Sequence, residues 1–176
     1  MVRLALLVLA LTALGLGACG GSDGRFEEDG FAITFEYPED FEESSDVTIN
    51  QQQGAEAEES LGVGLDSDNG IIVQRYGLER SIDEENLDLA KAEFDGLMEN
   101  LAPGAPEGET TELAGLPALR YTDVPVGSVE GGRSRLIVLF DGRTEYLINC
   151  QSTPEKRGEV EDACDRAVAT LERKGA

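Results

Sequence analysis

The chain has 176 residues, with 36 acidic against 14 basic side chains, a net charge of −22 and no histidine. That length suits one domain with a substantial core, while so acidic a balance argues against nucleic-acid binding, which needs basic surface, and against polybasic docking on anionic lipid. The missing histidine excludes Ser-His-Asp and Cys-His activation of a nucleophile and removes the commonest zinc ligand.

Arg3 precedes an apolar stretch over residues 4–14, and small residues follow at Gly15, Gly17 and Ala18. This is the three-part order of a secretory signal, too short for a membrane span of about 20 residues. The closing run Leu16-Gly17-Ala18-Cys19 resembles a bacterial lipobox. The resemblance implies cleavage after Ala18, lipidation of Cys19 and attachment to the extracytoplasmic face of the cell membrane. The alternative is an ordinary signal peptide with a cysteine near the cut. Residues 20–30 are polar, glycine-rich and acidic and are expected to form a flexible tether. About ten such residues reach roughly 35 Å when extended. The expected organisation is a signal peptide over residues 1–18, lipidated Cys19 with its tether over 19–30, and one domain over 31–176.

Within the domain, Phe31, Ile33, Phe35 and Tyr37 alternate as in a half-buried strand, which Pro38 ends. Residues 47–52 form a weaker strand candidate, and residues 54–59 an acidic loop. Residues 61–66 and 70–77 flank Asn69-Gly70, a dipeptide that favours positive φ and so a hairpin. The acidic loop beginning at Asp66 lacks the glycine and glutamate spacing of an EF-hand and is read as a plain turn. Ser81 and Glu84 match a capping box ahead of a helix running to about Leu101. Its apolar stripe is Leu87, Ala90, Phe94, Leu97, Met98 and Leu101. Asp83, Glu84 and Glu85 read as first-turn acids facing the helix dipole.

Strands are expected over residues 110–113 and 118–124. Residues 136–140 form a continuous apolar run, as in a strand covered on both faces. Asp141-Gly142 signals a hairpin into a return strand over 143–151. Thr153-Pro154 opens a last helix to about Arg173, with Val160, Ala163, Cys164, Ala167, Val168 and Leu171 facing inward. With Cys19 taken by lipid, Cys150 and Cys164 remain as an even pair, which an oxidising compartment normally closes. Two free buried thiols are the alternative. No C-x-x-C occurs, so a redox-active pair is not expected.

Three phrases carry a wider resemblance: residues 30–38 (GFAITFEYP) with Phe41, residues 113–118 (LAGLPA), and residues 146–150 (YLINC) before a terminal helix. Together they resemble the PsbP-like family of α/β domains, which includes exported bacterial lipoproteins of LpqN type. Phe41 stands where a tryptophan often follows the Tyr-Pro phrase. The resemblance implies an α+β fold with an antiparallel sheet packed between helices. It also implies a binding or accessory role, and brings no catalytic residue, metal ligand or cofactor. No G-x-S-x-G, Walker A or G-x-G-x-x-G motif occurs.

The expected function is a membrane-anchored, non-catalytic binding module whose partner is an envelope protein, a lipid or a small ligand. The rival is a carboxylate-dependent hydrolase acting on an envelope glycan. Two carboxylates in one cleft, one of them strongly desolvated, would point to the enzyme; an apolar groove or a smooth acidic surface would point to binding. Arg120, Arg133, Arg135 and Arg143 form a candidate anion or acidic-partner patch, against which stands ordinary cross-strand pairing with acids.

Overall fold

Residues 136–140 dictate the layers, because both faces of this apolar stretch need cover. The computed structural model describes residues 23–44 and 57–175. Among them the chain forms β1 (Gly24–Phe26), β2 (Ile33–Tyr37), β3 (Glu42–Ser44), β4 (Glu59–Gly64), β5 (Gly70–Ile82) and α1 (Leu87–Leu101). Then come β6 (Glu109–Leu113), β7 (Leu116–Pro125), β8 (Arg133–Ser152), α2 (Arg157–Ala169) and β9 (Glu172–Arg173). The large sheet has the order β3-β4-β5-β8-β7-β6 and the small one β1-β2-β9.

The long element β8 reverses on itself. Ser152 Oγ donates to the Arg133 carbonyl at 3.5 Å, and Ser134 Oγ to Asn149. An uninterrupted strand of that length would hold those ends roughly 60 Å apart. β7 pairs with residues 133–139 and β5 with residues 142–151, so the two arms lie side by side at the centre of the sheet. The expected hairpin therefore forms, with the left-handed angle at Gly142 (φ 61°).

Alternation then builds two cores. Ile137 and Leu139 join Ala118, Ile71, Val73, Tyr146 and Ile148 on one face. That face is covered by α2, through Val160, Ala163, Cys164 and Ala167, and by the small sheet, through Phe26, Ile33 and Phe35. Val138 and Phe140 join Leu119 and Tyr121 on the other, under Leu87, Ala90 and Met98 of α1. The result is the expected α+β sandwich. α1 is fastened by Asp95, which accepts hydrogen bonds from Tyr121 Oη at 2.9 Å and from the Gly108 amide at 3.0 Å.

Five local expectations are corrected. The stretch expected as tether over 19–30 holds a strand instead at 24–26, where β1 pairs with β2 and Phe26 is buried, stacked on Phe35 at 4.8 Å. The β4–β5 hairpin forms, but neither Asn69 nor Gly70 has positive φ. Gly70 is needed instead for close approach, since a Cβ there would sit 2.6 Å from the Val63 carbonyl oxygen. Ser81 is not a cap: β5 runs through Ile82, α1 starts at Leu87, and Asp83 Oδ1 accepts the Glu85 and Asn86 amides in the turn before it. Asp83, Glu84 and Glu85 accordingly precede the helix, whose first-turn acid is Asp88. α2 stops at Ala169, since Leu171 turns inward and Glu172–Arg173 pair with β2. The strand candidate at 47–52 lies outside the described residues.

The β6–β7 connection has two residues, Ala114 (φ 52°) and Gly115 (φ 72°), between the paired Leu113 and Leu116. Positive φ at both positions is a type I′ turn, which favours Asn-Gly. An alanine Cβ in the left-handed region costs about 1–2 kcal/mol. Ala114→Asn is expected to raise stability by about 0.5–1 kcal/mol, read as a higher midpoint in urea unfolding; a lower midpoint would contradict this account of the turn.

Candidate ligand-binding groove

α1 lies over the β6–β7 side of its face and leaves an opening beside β5. There the register of β5 against β8 shifts between Gly77 and Ile82, so residues 78–81 bulge out of the ladder. The bulge and α1 form the two walls of a groove of about 430 Å³, within the size range of small-molecule sites. Leu78 and Ile82 line one wall, Ala90 and Phe94 the other, with Phe140 at the floor. Phe94 meets Phe140 edge to face, centroids 6.3 Å apart. Arg80 and Glu93 join the two walls by an ion pair of 2.6 Å. Arg143 donates from Nε to the Leu78 carbonyl at 3.1 Å, which pins the bulge.

Glu145 shares this floor. It lies on the second arm of β8, paired with Tyr76, and is only 7% exposed. Among the described residues no group donates a hydrogen bond to its carboxylate or forms an ion pair with it. Burial without compensation pushes its pKa up to about 7, because desolvation disfavours the charged form. The phenol of Tyr76 is pushed up as well, first by burial and then by the negative charge of Glu145. A buried carboxyl with no partner is costly to keep, and such groups concentrate at functional sites. The other two carboxylates of the groove, Glu79 and Glu93, are exposed at its mouth.

The arginines singled out in the sequence do not form one free patch. Arg120 pairs with Glu109 at 3.1 Å, Arg133 with Asp123 at 3.0 Å, and Arg135 with Asp165. Arg143 lies at the turn of the β8 hairpin. Cross-strand and neighbouring acids thus take up the first three. Arg133 and Arg135 do come together at a smaller cavity of about 270 Å³ beside Cys150 and Cys164. Those two cysteines form a disulfide, Cα atoms 6.0 Å apart. It ties the second arm of β8 to α2. Cys19 lies outside the described residues. Among the described residues no three cysteine, aspartate or glutamate side chains gather as a metal site.

Glu145 was missed in the sequence. Its signal was phase: it alternates with Leu147 on the face that a doubly covered strand turns toward α1.

The fold is an α+β sandwich, and among the described residues it holds one buried acid at a small cleft. Cyanobacterial PsbP (CyanoP) from Synechocystis sp. PCC 6803 shares the fold, with a TM-score of 0.56 at 15% identity over 90% of this chain and 98% of that one. A Bacteroides thetaiotaomicron VPI-5482 protein matches with a TM-score of 0.53 at 14% identity over 85% of this chain, which spans 48% of that one. No protein-family model and no curated protein matches the sequence.

The raised pKa of Glu145 has a stability sign. From its ordinary value of 4.5 up to about 7, the folded chain holds a proton that the unfolded chain has released, so stability falls as pH rises through that window. Glu145→Gln is expected to remove this slope. The variant should gain on the parent between pH 5 and 8, by up to about 3 kcal/mol, measured by urea unfolding at each pH. A stability difference that does not change with pH would refute the assignment.

Proposed function

We propose that this chain is a lipoprotein anchored through Cys19 at the outer face of the cell membrane, where it serves as a non-catalytic accessory module that acts by binding. The observation that carries the reading is the run Leu16-Gly17-Ala18-Cys19 placed directly ahead of a PsbP-like domain. The disulfide between Cys150 and Cys164 supports an oxidising, extracytoplasmic setting. No helix among the described residues is long and apolar enough to cross a membrane. Stable anchoring by lipid takes more than one acyl chain, which a multiply acylated Cys19 supplies. The partner is an envelope protein, a lipid or a small ligand, and the groove beside α1 supports the last of these.

Cys19→Ala is expected to move the protein from the membrane to the soluble fraction, with the intact mass of the parent showing the acyl chains. A parent chain without lipid that fractionates like the variant would overturn the anchoring.

A second reading has one observation in its favour. A carboxylate-dependent hydrolase acting on an envelope glycan needs an acid held protonated near neutral pH, and Glu145 is such an acid. It also needs a second carboxylate about 5–9.5 Å away. Of the exposed acids at the mouth, Glu93 is held by Arg80. The apolar walls favour binding. Assays on cell-wall glycans are expected to show no turnover; turnover that Glu145→Gln abolishes without unfolding the chain would reverse the order of the two readings.

A further inference from the structure

We infer that the groove between α1 and the bulged end of β5 binds a small molecule with an apolar body and one protonated amine, which pairs with the Glu145 carboxylate. The inference deepens the binding reading above and does not depend on the anchoring at Cys19.

Three observations meet at this place. The walls are apolar on both sides, with Leu78 and Ile82 facing Ala90 and Phe94, so the body of the ligand is apolar. The floor holds Glu145, a residue only 7% exposed, which lines the groove and has no hydrogen-bond or ion-pair partner for its carboxylate among the described residues. Glutamate in its ionised form only accepts hydrogen bonds, and a buried charge is relieved by an opposite charge brought within contact. A primary ammonium carries three donors on a compact head. The phenyl rings of Phe94 and Phe140 stand on the same floor and wall, offering cation–π contact beside the carboxylate.

The charge around the groove argues the same sign. Glu79 and Glu93 stand at the mouth, where Arg80 is engaged by Glu93 at 2.6 Å and Arg143, on the strand of Glu145, is engaged by the Leu78 carbonyl at 3.1 Å. An anionic ligand would meet three carboxylates, and a neutral apolar one would leave Glu145 uncompensated. The whole chain, at net −22, draws cations toward it. Leu89 and Leu97 are exposed at 54% and 40%, Leu97 against its expected place on the inward stripe of α1. Spaced four residues to either side of Glu93, they share its stripe of the helix, where a longer apolar body would lie.

The test is a titration of the full chain with 4-phenylbutylamine, with 4-phenylbutanol and 4-phenylbutyrate as uncharged and anionic counterparts, followed by backbone amide shifts. The expected result is saturable binding of the amine, at least tenfold tighter than either counterpart. Shifts should concentrate at residues 78–82, 90–94, 140 and 145. Glu145→Gln should weaken the amine at least tenfold while leaving the alcohol unchanged and the amide spectrum folded. Glu112→Gln, on β6, should change neither. Equal affinity for amine and alcohol, amine binding that survives Glu145→Gln, or shifts lying outside the groove would each overturn the inference. Failure here leaves membrane fractionation of the Cys19 variant untouched, and failure there leaves this titration untouched.

Discussion

Both cores rest on one constraint: the five apolar side chains of residues 136–140 alternate to opposite faces of the sheet and neither face can be left to water. Ile137 and Leu139 draw the small sheet and α2 onto one side, and Val138 and Phe140 draw α1 onto the other. The arm that follows repeats the division, with Tyr146 and Ile148 on the first face and Glu145 and Leu147 on the second. The disulfide from Cys150 to Cys164 then fixes α2 to the arm it already covers. In a chain-entropy picture, closing a loop of about 15 residues contributes about 3 kcal/mol.

The groove follows from unequal coverage of the two faces. One side has a helix and three short strands to close it. Among the described residues α1 is the one helix or strand laid over the other, and a single helix about 10 Å wide cannot roof a sheet of this breadth. The break in register after Gly77 lifts residues 78–81 out of plane beside the uncovered ground, and Arg80 reaches from this edge to Glu93 on the helix. Glu145 sits where the coverage gives out. That position keeps a carboxyl dry enough to resist ionisation and still accessible from one direction.

Much of the frame was legible because it rests on periodicity. The two-fold alternation at Phe31–Tyr37, the unbroken apolar run at 136–140, and the inward stripe of α2 each named residues that enter the cores. The cysteine pair followed from the even count left once Cys19 is set aside. What escaped lies where local signals yield to tertiary ones. The capping box at Ser81 lost to strand pairing that carries β5 on to Ile82. The end of α2 gave way to Leu171 entering the core. A glycine-rich, acidic stretch concealed a three-residue strand whose single aromatic, Phe26, outweighs the polar composition around it. Arg120, Arg133 and Arg135 were grouped by charge, whereas each is placed by the acid nearest to it. Glu145 was hidden among 36 acids, because only the folded register shows which of them faces inward.

The strand at Gly24–Phe26 has a mechanical meaning under the proposed anchoring. Four residues lie between Cys19 and Gly24, so five peptide steps give a leash of at most about 18 Å. A domain of this size has a radius of gyration near 15 Å, which for a sphere is an outer radius of about 19 Å. A leash no longer than the radius of the body it holds does not let that body tumble. One hemisphere would stay turned to the lipid and the other to the wall. An acidic body above an anionic surface is also pushed outward, so the leash would be drawn taut. A soluble protein diffuses to its partner in any attitude; this one would meet only what reaches it from a fixed side.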